Sequence, residues 1–351
     1  MYGHTVAALL GTTYQQGTWF EVWNFQRGLT STLFLLLSGF AFSIATMRHW
    51  PSYTKPSPAF WRRIRRFAFF IVIGYALHFP VPHLADIAST DEARWRSFLA
   101  VDVLQLIGVT FICVQLLTLV LQGRRAFMVV SLMLAVVIVA VAPASWTFAW
   151  QEHTIPALAA YLTPTTGSLF PLVPWSASVF IGAAAGGLYA RWGAAHLSRF
   201  ATWMLLVPGV LLVVFNLAGG RLPAALEAGE FGWLPMAVLM RTAACLIGLG
   251  ALAHASRYVT NLPHAFGAVA QESLLIYVVH LCIVYGSIWN PGLYQFYGGS
   301  LTPLATFLVV VGLIAAMTLL AWQWNVLKHH RPRTARWITL GTAGLLVLIL
   351  L

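Results

Sequence analysis

The sequence predicts an all-α fold, a polytopic bundle of transmembrane helices, and three observations lead to that class. Hydrophobic residues make up 60% of the 351 residues and charged residues only 8%, whereas roughly a quarter of a soluble domain is charged. Apolar runs of about 20 residues, which can cross a bilayer core about 30 Å thick, recur along the chain. No stretch has the mixed polar composition of a soluble domain, so we predict a single membrane domain over residues 1–351.

Hydropathy divides the chain into about ten full spans and one partial span. The full-length candidates are 28–47, 66–83, 99–121, 126–143, 169–190, 200–218, 233–253, 268–289 and 302–323, and a shorter last segment covers 337–351. Residues 1–10 are apolar but reach only about half the length of a span. We therefore expect them to be the outer end of a first helix whose first half is missing.

Loop charges orient these helices. Fifteen of the 20 Lys and Arg residues fall in one set of alternate loops, which the positive-inside rule assigns to the cytoplasm. They are Arg48, Lys55, Arg62, Arg63, Arg65, Arg66, Arg124, Arg125, Arg191, Arg199, Arg257, Lys328, Arg331, Arg333 and Arg336. The opposite loops hold Arg94, Arg96 and Arg221, and the carboxylates Glu21, Asp86, Asp91, Glu92, Glu152, Glu227 and Glu230 lie in or beside them. Residues 1–10 lead into one of these external loops, so His4 is predicted to lie on the outer side of the membrane.

The charge and cysteine patterns exclude several other classes of protein. The net charge of +11 does not indicate nucleic acid, because the basic residues form short clusters between apolar runs rather than one stripe. The three cysteines each lie within an apolar segment, which fits neither a disulfide framework nor a metal site. Phosphate-binding loops and zinc-binding HExxH motifs are absent from the sequence. We expect no metal and no nucleic-acid partner.

One arginine cluster stands at the cytoplasmic end of the third predicted helix. Arg62, Arg63, Arg65 and Arg66 form two overlapping R-x-x-R pairs. Residues three apart share a helix face, so two guanidinium groups can grip one polyanion, and arginine matches phosphate bidentately. The alternative is attraction to anionic lipid headgroups, worth about 1 kcal/mol per basic residue. The cluster favours a bound phosphate.

Seven ionisable residues lie in or at the edge of apolar runs: His4, Arg27, His78, Asp102, Arg241, Glu272 and His280. A charge at the bilayer centre costs roughly 2.5–3.5 kcal/mol, so such groups normally face a cavity or a partner. Asp102 could pair with Arg27, and Glu272 with a cytoplasmic arginine. The histidines differ because a neutral imidazole is cheap to bury and can exchange protons near neutral pH. Ion pairing and catalysis both remain open for this set.

The external loops are rich in aromatic residues, as in "YQQGTWFEVWNF" and "SIWNPGLYQFYGG". An interfacial aromatic belt explains much of this composition. A platform on which sugar rings stack is the alternative, with Trp19 and Trp23 as the stacking side chains and Asn24 as a hydrogen-bonding group. The run "FPLVPWSASVFIGAAAGGLYAR" has Trp175 near its start and Gly182, Gly186 and Gly187 further on. These glycines predict close helix packing.

Five segments carry a resemblance to a known family. "RGLTSTLFLLLSGFAFSIA", "WRRIRRFAFFIVIGYALHFP", "DVLQLIGVTF", "SLFPLVPWSASVFIGAAAGGLYAR" and "ESLLIYVVHLCIVY" occur in this order over nearly the whole chain. In this order they resemble the transmembrane acyltransferase superfamily, especially bacterial relatives of heparan-α-glucosaminide N-acetyltransferase. They are also similar to the membrane acyltransferases of family 3.

The resemblance implies an enzyme that moves an acyl group, such as acetyl, from cytosolic acyl-CoA to an extracytoplasmic acceptor, a sugar of the cell envelope. It implies no tightly bound cofactor, acetyl-CoA as co-substrate, and a bacterial inner membrane location. His4 matches the histidine that closes the first helix, with His280 as a second catalytic candidate. The R-x-x-R pattern matches the acyl-CoA side. The carbohydrate or lipid-linked acceptor would contact Trp19, Trp23, Asn24, Arg27, Asp102 and Trp175.

Two family features are missing here, and two other functions stay open. The arginine-and-glycine opening before the first-helix histidine is absent, and "WFEVWNFQRGLT" lacks the luminal histidine of the animal enzyme. A transporter or flippase for an envelope lipid or sugar is the main alternative, although we find no convincing internal repeat. A membrane scaffold is disfavoured by the intramembrane ionisable groups. Besides lipids and acyl-CoA, a homodimer partner is left open.

The charge split predicts the membrane orientation. In a cysteine-free background, a cysteine at Lys328 should react with a membrane-impermeant maleimide only from the cytoplasmic side, and one near Glu152 only from outside. The reason is that basic loops are retained in the cytoplasm. Labelling of intact and everted vesicles measures this, and the reverse pattern would overturn the topology.

Overall fold

The computed structural model describes residues 1–121, 123–217, 234–259 and 261–351, and it is almost entirely helical. The predicted all-α polytopic class is therefore confirmed. Three charged residues of one predicted external loop, Arg221, Glu227 and Glu230, lie outside the described residues. The chain forms two compact units, so the single domain over 1–351 stays a prediction. The terminal unit comprises Met1–Phe25, Ala76–Phe98 and Val259–Leu351, and the central unit comprises Gln26–Tyr75 and Leu99–Tyr258.

The helices are α1 (Tyr2–Leu9), α2 (Thr18–Arg48), α3 (Trp50–Tyr53), α4 (Pro58–Leu77), α5 (Glu92–Leu99), α6 (Val103–Val120), α7 (Arg124–Thr147), α8 (Trp150–His153), α9 (Pro156–Leu162), α10 (Leu172–Trp192), α11 (Leu197–Leu217), α12 (Leu234–Ala255), α13 (His264–Gln271), α14 (Ser273–Tyr285), α15 (Leu293–Tyr297), α16 (Pro303–His330) and α17 (Pro332–Leu350). Two short strands, β1 (Gly286–Ser287) and β2 (Asn290–Pro291), pair antiparallel. In the described part of the chain, eight helices are long and apolar enough to cross a membrane: α2, α6, α7, α10, α11, α12, α16 and α17. A bent pair, α13 with α14, would be a ninth.

The predicted span 66–83 is displaced in the structure. Helix α4 begins eight residues earlier, at Pro58, and ends at Leu77, before Pro80. Proline suits the first turn of a helix and is unfavourable in its interior, which explains both ends. The arginine cluster therefore lies within the first turns of α4, as predicted. Long basic side chains can extend their charge away from an apolar helix stem, so a helical arginine cluster is physically acceptable there.

Helices α2 and α10 approach closely in the central unit, as the glycine pattern predicts. A Cβ atom added at Gly182 would overlap the carbonyl oxygen of Leu36, and one added at Gly186 would overlap that of Phe40. On α2, a Cβ atom at Gly39 would overlap the carbonyl oxygen of Val179. The contacts Leu36–Gly182 and Phe40–Gly186 are each displaced by four residues in the same direction, and the C-terminal ends of both helices line one cavity, so α2 and α10 run parallel. Backbone touches backbone, and no larger residue fits at these points.

The other helices of the central unit are arranged around this pair. Helix α6 is buried around much of its circumference, and Gly108 lets the backbone of α4 approach at Phe67. Helix α7 lies along α10. Helices α11 and α12 pack together, and Phe200 and Met204 of α11 form an apolar cluster with Ala185 of α10. The unit thus has an interior made of small and aromatic side chains.

In the terminal unit, α1 is held against α14 and α16. Ala8 and Leu9 of α1 share a buried cluster with Ile276 and Val284 of α14, and with Leu313, Met317 and Ala321 of α16. The end of α1 is also tied to the segment before α16 by backbone hydrogen bonds. Gly11 N–H donates to the Leu301 carbonyl at 2.8 Å, and Leu301 N–H donates to the Leu9 carbonyl at 2.9 Å. Residues 1–10 are therefore a packed helix, as expected from their apolar sequence.

The predicted span 268–289 is broken at Glu272. Helices α13 and α14 meet there at a bend of 74°. The Glu272 carboxylate is only 5% exposed and pairs with Lys328 of α16, with an Oε1–Nζ distance of 2.6 Å, and Asn325 donates to it at 3.0 Å. A buried carboxylate was expected to have a partner, but the expected arginine was wrong. The partner is a lysine, because α16 runs past the predicted span end at 323 and brings Lys328 alongside the bend.

The glycine contact predicts a large difference between two Gly→Ala substitutions. Gly182→Ala should destabilise the protein by about 1–3 kcal/mol, because the added methyl group overlaps the backbone of α2. The midpoint of thermal unfolding in detergent measures this.

Gly248→Ala is the matched control. It lies within α12, and nothing stands within 4 Å of its added Cβ atom. Alanine is also the better helix former, so this variant should be unchanged or slightly stabilised. Equal unfolding midpoints for the two variants would contradict the close α2–α10 contact.

Candidate functional site

The two histidines predicted as catalytic lie together in the terminal unit. The ring centroids of His4 on α1 and His280 on α14 are 5.4 Å apart, with a tilt of 57° between the rings. His4 is exposed, whereas His280 is only 2% exposed. The two residues are 276 positions apart in the chain, and the α1–α14–α16 core brings them together. An accessible imidazole thus stands in front of a buried one.

Helix geometry fixes the tautomer of His280. Its Nδ1 atom lies 2.8 Å from the Ile276 carbonyl oxygen, one turn earlier on α14. A carbonyl only accepts, so a neutral His280 carries its hydrogen on Nδ1, and Nε2 presents a bare lone pair. Among the described residues, Nε2 has no hydrogen-bond partner although it is buried. A buried acceptor without a donor is costly, which marks this atom as one that a further group would satisfy.

Tyrosine side chains enclose the histidine pair. The Tyr285 ring stands edge-on to His4 at 5.9 Å, and its hydroxyl group donates to the His4 carbonyl oxygen at 3.4 Å. The Tyr277 ring stands edge-on to His280 at 5.6 Å. These contacts limit how the two imidazoles can turn. Tyr277 and Tyr285 were not predicted, although both occur in the aromatic segment that follows Glu272.

Tyr285 also lines a cavity of about 300 Å³. Polar side chains from two stretches of the terminal unit line it: His78, Arg94, Ser97, Ser287 and Gln295. The two-residue strands fold the loop after α14 back, which brings Ser287 and the start of α15 to the cavity. Sequence reasoning flagged this loop only for its aromatic residues. Gly286 turns the chain here with a φ of 85°. Nothing in the sequence around Gly286 indicates that this turn is part of a site.

The four arginines of the α4 cluster have different environments in the central unit. Arg63 points into the helix bundle, where its guanidinium donates to Thr46 Oγ1 at 2.7 Å and to Gln115 Oε1 at 3.3 Å. The same group lies 3.6 Å from the centroid of the Tyr53 ring, a cation–π contact. Arg62, Arg65 and Arg66 are exposed. Three of the four predicted phosphate ligands are therefore accessible, and Arg63 holds α2, α3, α4 and α6 together.

Two other predicted substrate residues, Asp102 and Trp175, have identifiable structural settings in the central unit. Asp102 caps α6 by accepting a hydrogen bond from Val103 N–H at 2.7 Å, and its pairing with Arg27 stays a prediction. The Trp175 ring packs against Phe170, and its buried indole N–H has no partner among the described residues. Gln105, which was not predicted, is fully buried with neither amide atom hydrogen-bonded in the described structure. Unsatisfied polar groups of this kind suit a ligand.

The remaining predicted residues are at the surface of their units. Trp19 is 88% exposed and Asn24 is exposed, whereas Trp23 is partly exposed, with its ring centroid 5.1 Å from that of Phe20 at a 30° tilt; all three lie within the terminal unit. Arg27 is exposed in the central unit. The structure thus brings His4 and His280 together, and it places Trp19, Trp23 and Asn24 in the same unit as the histidines.

Comparison with known proteins gives one match. Residues 1–214 match the family model described as heparan-alpha-glucosaminide N-acetyltransferase, catalytic. No curated protein and no solved structure matches significantly. The matched range includes His4 and the arginine cluster, and it ends before His280.

The interior contacts of Arg63 predict that this residue contributes to the free energy of unfolding. Arg63→Gln should destabilise the protein by about 2 kcal/mol or more, because hydrogen bonds to a charged group are worth about 1.5–3 kcal/mol and Thr46 and Gln115 would lose theirs. For a chain of this size the unfolding midpoint should fall by roughly 3 °C. Arg62→Gln removes the same charge from an exposed neighbour and should leave the midpoint unchanged. An equal effect of both changes would show that total charge, not the interior contact, matters.

Proposed function

The chain belongs to the heparan-alpha-glucosaminide N-acetyltransferase catalytic family, and on that basis we propose that it is a membrane-embedded acetyltransferase of the bacterial inner membrane. It transfers an acetyl group from cytosolic acetyl-CoA to an extracytoplasmic acceptor, a sugar of the cell envelope. The observation that carries this proposal is the His4–His280 pair, whose neighbour Tyr285 lines a polar cavity. The family match over more than half of the chain supports the same reaction.

His4 is the general base in this proposal. The acceptor hydroxyl or amine attacks the thioester carbonyl carbon, and its proton passes to the imidazole of His4. The tetrahedral intermediate then collapses, the carbon–sulfur bond breaks, and the departing CoA thiolate takes up a proton. A positioned base contributes typically 10²–10⁴ in rate. His4 suits this task because it is exposed and its ring is held by Tyr285. A transient acetyl-imidazole is the other course open to the same residue.

His280 is a positioning residue for His4. Its Nε2 lone pair faces no donor among the described residues, and the two rings are 5.4 Å apart. A modest rotation of His4 would let a ring N–H donate to this lone pair. The bond strengthens when His4 becomes an imidazolium ion, so His280 stabilises the charge that forms during transfer. The Nδ1 bond to Ile276 keeps the lone pair in place throughout.

The donor and the acceptor are recognised by different chemistry. Arg62, Arg65 and Arg66 are exposed and free to bind the phosphates of acetyl-CoA, whereas Arg63 contributes through the fold. The cavity beside Tyr285 offers hydroxyl, amide and guanidinium groups, which suit the hydroxyl groups of a sugar. Trp19 and Trp23 add aromatic surface in the same unit. A substrate that enters the central unit could satisfy the buried Gln105 and Trp175 side chains.

Release of free CoA tests the reaction. Purified protein supplied with acetyl-CoA and a panel of envelope sugars should release CoA thiol with at least one acceptor. His4→Ala should abolish release while acetyl-CoA affinity stays within about twofold, because a base that acts in the transition state adds little ground-state binding. Release should also fall at acidic pH, because only a neutral imidazole can accept a proton.

Two further variants separate the roles. His280→Ala should lower turnover partially and leave KM nearly unchanged, whereas His264→Ala, an exposed histidine at the start of α13, should have no effect. Normal turnover of His4→Ala with no turnover of His280→Ala would assign the base to His280 instead. Absence of CoA release with every acceptor, in protein that binds acetyl-CoA, would favour a transporter or flippase.

A further inference from the structure

A second cavity, of about 540 Å³, lies in the central unit at the C-terminal ends of α2 and α10 and the N-terminal end of α7. Its volume is within the 300–1,000 Å³ of typical small-molecule sites. Four arginines from these three helices line it: Arg48, Arg124, Arg125 and Arg191. In the sequence these residues contribute only to the positive-inside pattern. The structure shows that they converge on one space.

The charge in this cavity is uncompensated. Among the described residues that line it there is no carboxylate. Ion pairs are seen at Arg94, Arg96 and Lys328, and none of the four cavity arginines forms one with a described acid. Four like charges around one space repel each other and create a positive potential that attracts anions. A bound polyanion would remove that repulsion.

Part of the cavity lining is apolar. The side chains of Met47 and Met128 converge over Gly187, where an added Cβ atom would lie 2.6 Å from Met128 Cγ and 3.2 Å from Met47 Cε. The Tyr189 ring at the wall is fixed by ring contacts with Phe40 and Phe200. Methionine adapts to irregular shapes and an aromatic ring offers a flat face. The cavity therefore combines four arginine side chains with an apolar surface.

Neither helix stability nor membrane orientation explains this arrangement. Arg124 and Arg125 occupy the first turn of α7, where basic residues oppose the helix dipole, and Gly123 provides no side-chain cap. The positive-inside rule requires basic residues on one side of the membrane, but it does not require three helices to direct them into one cavity. Binding of a ligand accounts for both features.

We propose that this cavity binds a ligand in which phosphate groups adjoin an apolar part. Guanidinium groups bind phosphate bidentately, and the methionine and tyrosine surface receives a ring or an acyl chain. Two sources share this chemistry: a soluble adenine nucleotide with several phosphates, and an anionic phospholipid. The site goes beyond the proposed acetyl transfer, because none of the α4 arginines lines it and its occupancy can be measured without turnover.

Two binding arms distinguish the sources. In the first, protein in phosphatidylcholine nanodiscs is titrated with 3′,5′-ADP, which carries the phosphates but no thioester. In the second, nanodiscs contain increasing phosphatidylglycerol, and bound lipid is counted by native mass spectrometry. Arg124→Gln/Arg191→Gln should weaken binding more than tenfold in one arm, since each charge-assisted contact is worth about tenfold or more. The affected arm identifies the ligand.

Matched variants make the result decisive. Arg333→Gln/Arg336→Gln removes the same charge from exposed positions on α17 and should change neither arm. Arg124→Lys/Arg191→Lys keeps the charge that orients the helices and should weaken binding several-fold, because lysine lacks the bidentate fork. The Lys variant covers the case in which the Gln variant misfolds. If the Lys and Gln variants bind both probes as well as the control does, the proposal is wrong.

Discussion

The direct backbone contact between α2 and α10 is the constraint on which the central unit depends. Gly39, Gly182 and Gly186 carry no side chain at the points of contact, so the backbones of these two parallel helices approach closely. Their C-terminal ends then lie at the same end of the unit, together with the first turn of α7. Arg48 and Arg191 are neighbours in space for this reason. A feature of packing thus determines where positive charge accumulates.

Composition and hydropathy were sufficient for the fold class, because burial in lipid demands apolar helices of fixed length. They could not place the break at Glu272, since it depends on Lys328 and Asn325 from a helix that follows much later in the chain. They also could not separate Arg63 from its three neighbours. The Arg63 side chain points into the helix bundle, where Thr46 and Gln115 accept its hydrogen bonds. Neither of these two residues stands out in the sequence as a partner for an arginine.

The sequence could select His4 and His280 as candidates, but it could not predict what surrounds them. His4 and His280 could be selected because an imidazole within an apolar run is rare enough to notice. Their mutual contact required the α1–α14–α16 core, and the adjoining cavity required the turn at Gly286. Polar residues such as Ser287 and Gln295 are common in loops. Only the fold distinguishes those that line a cavity from those that do not.

The way α1 is fastened has a consequence for how this protein can change over evolution. Its end is joined to the segment around Leu301 through backbone N–H and carbonyl groups of Leu9, Gly11 and Leu301. Such bonds are indifferent to side-chain identity, with proline as the exception. Substitutions that keep Leu9 and Leu301 apolar can therefore occur in both segments while His4 keeps its position. Descendant sequences could look unrelated at this junction and still share its geometry.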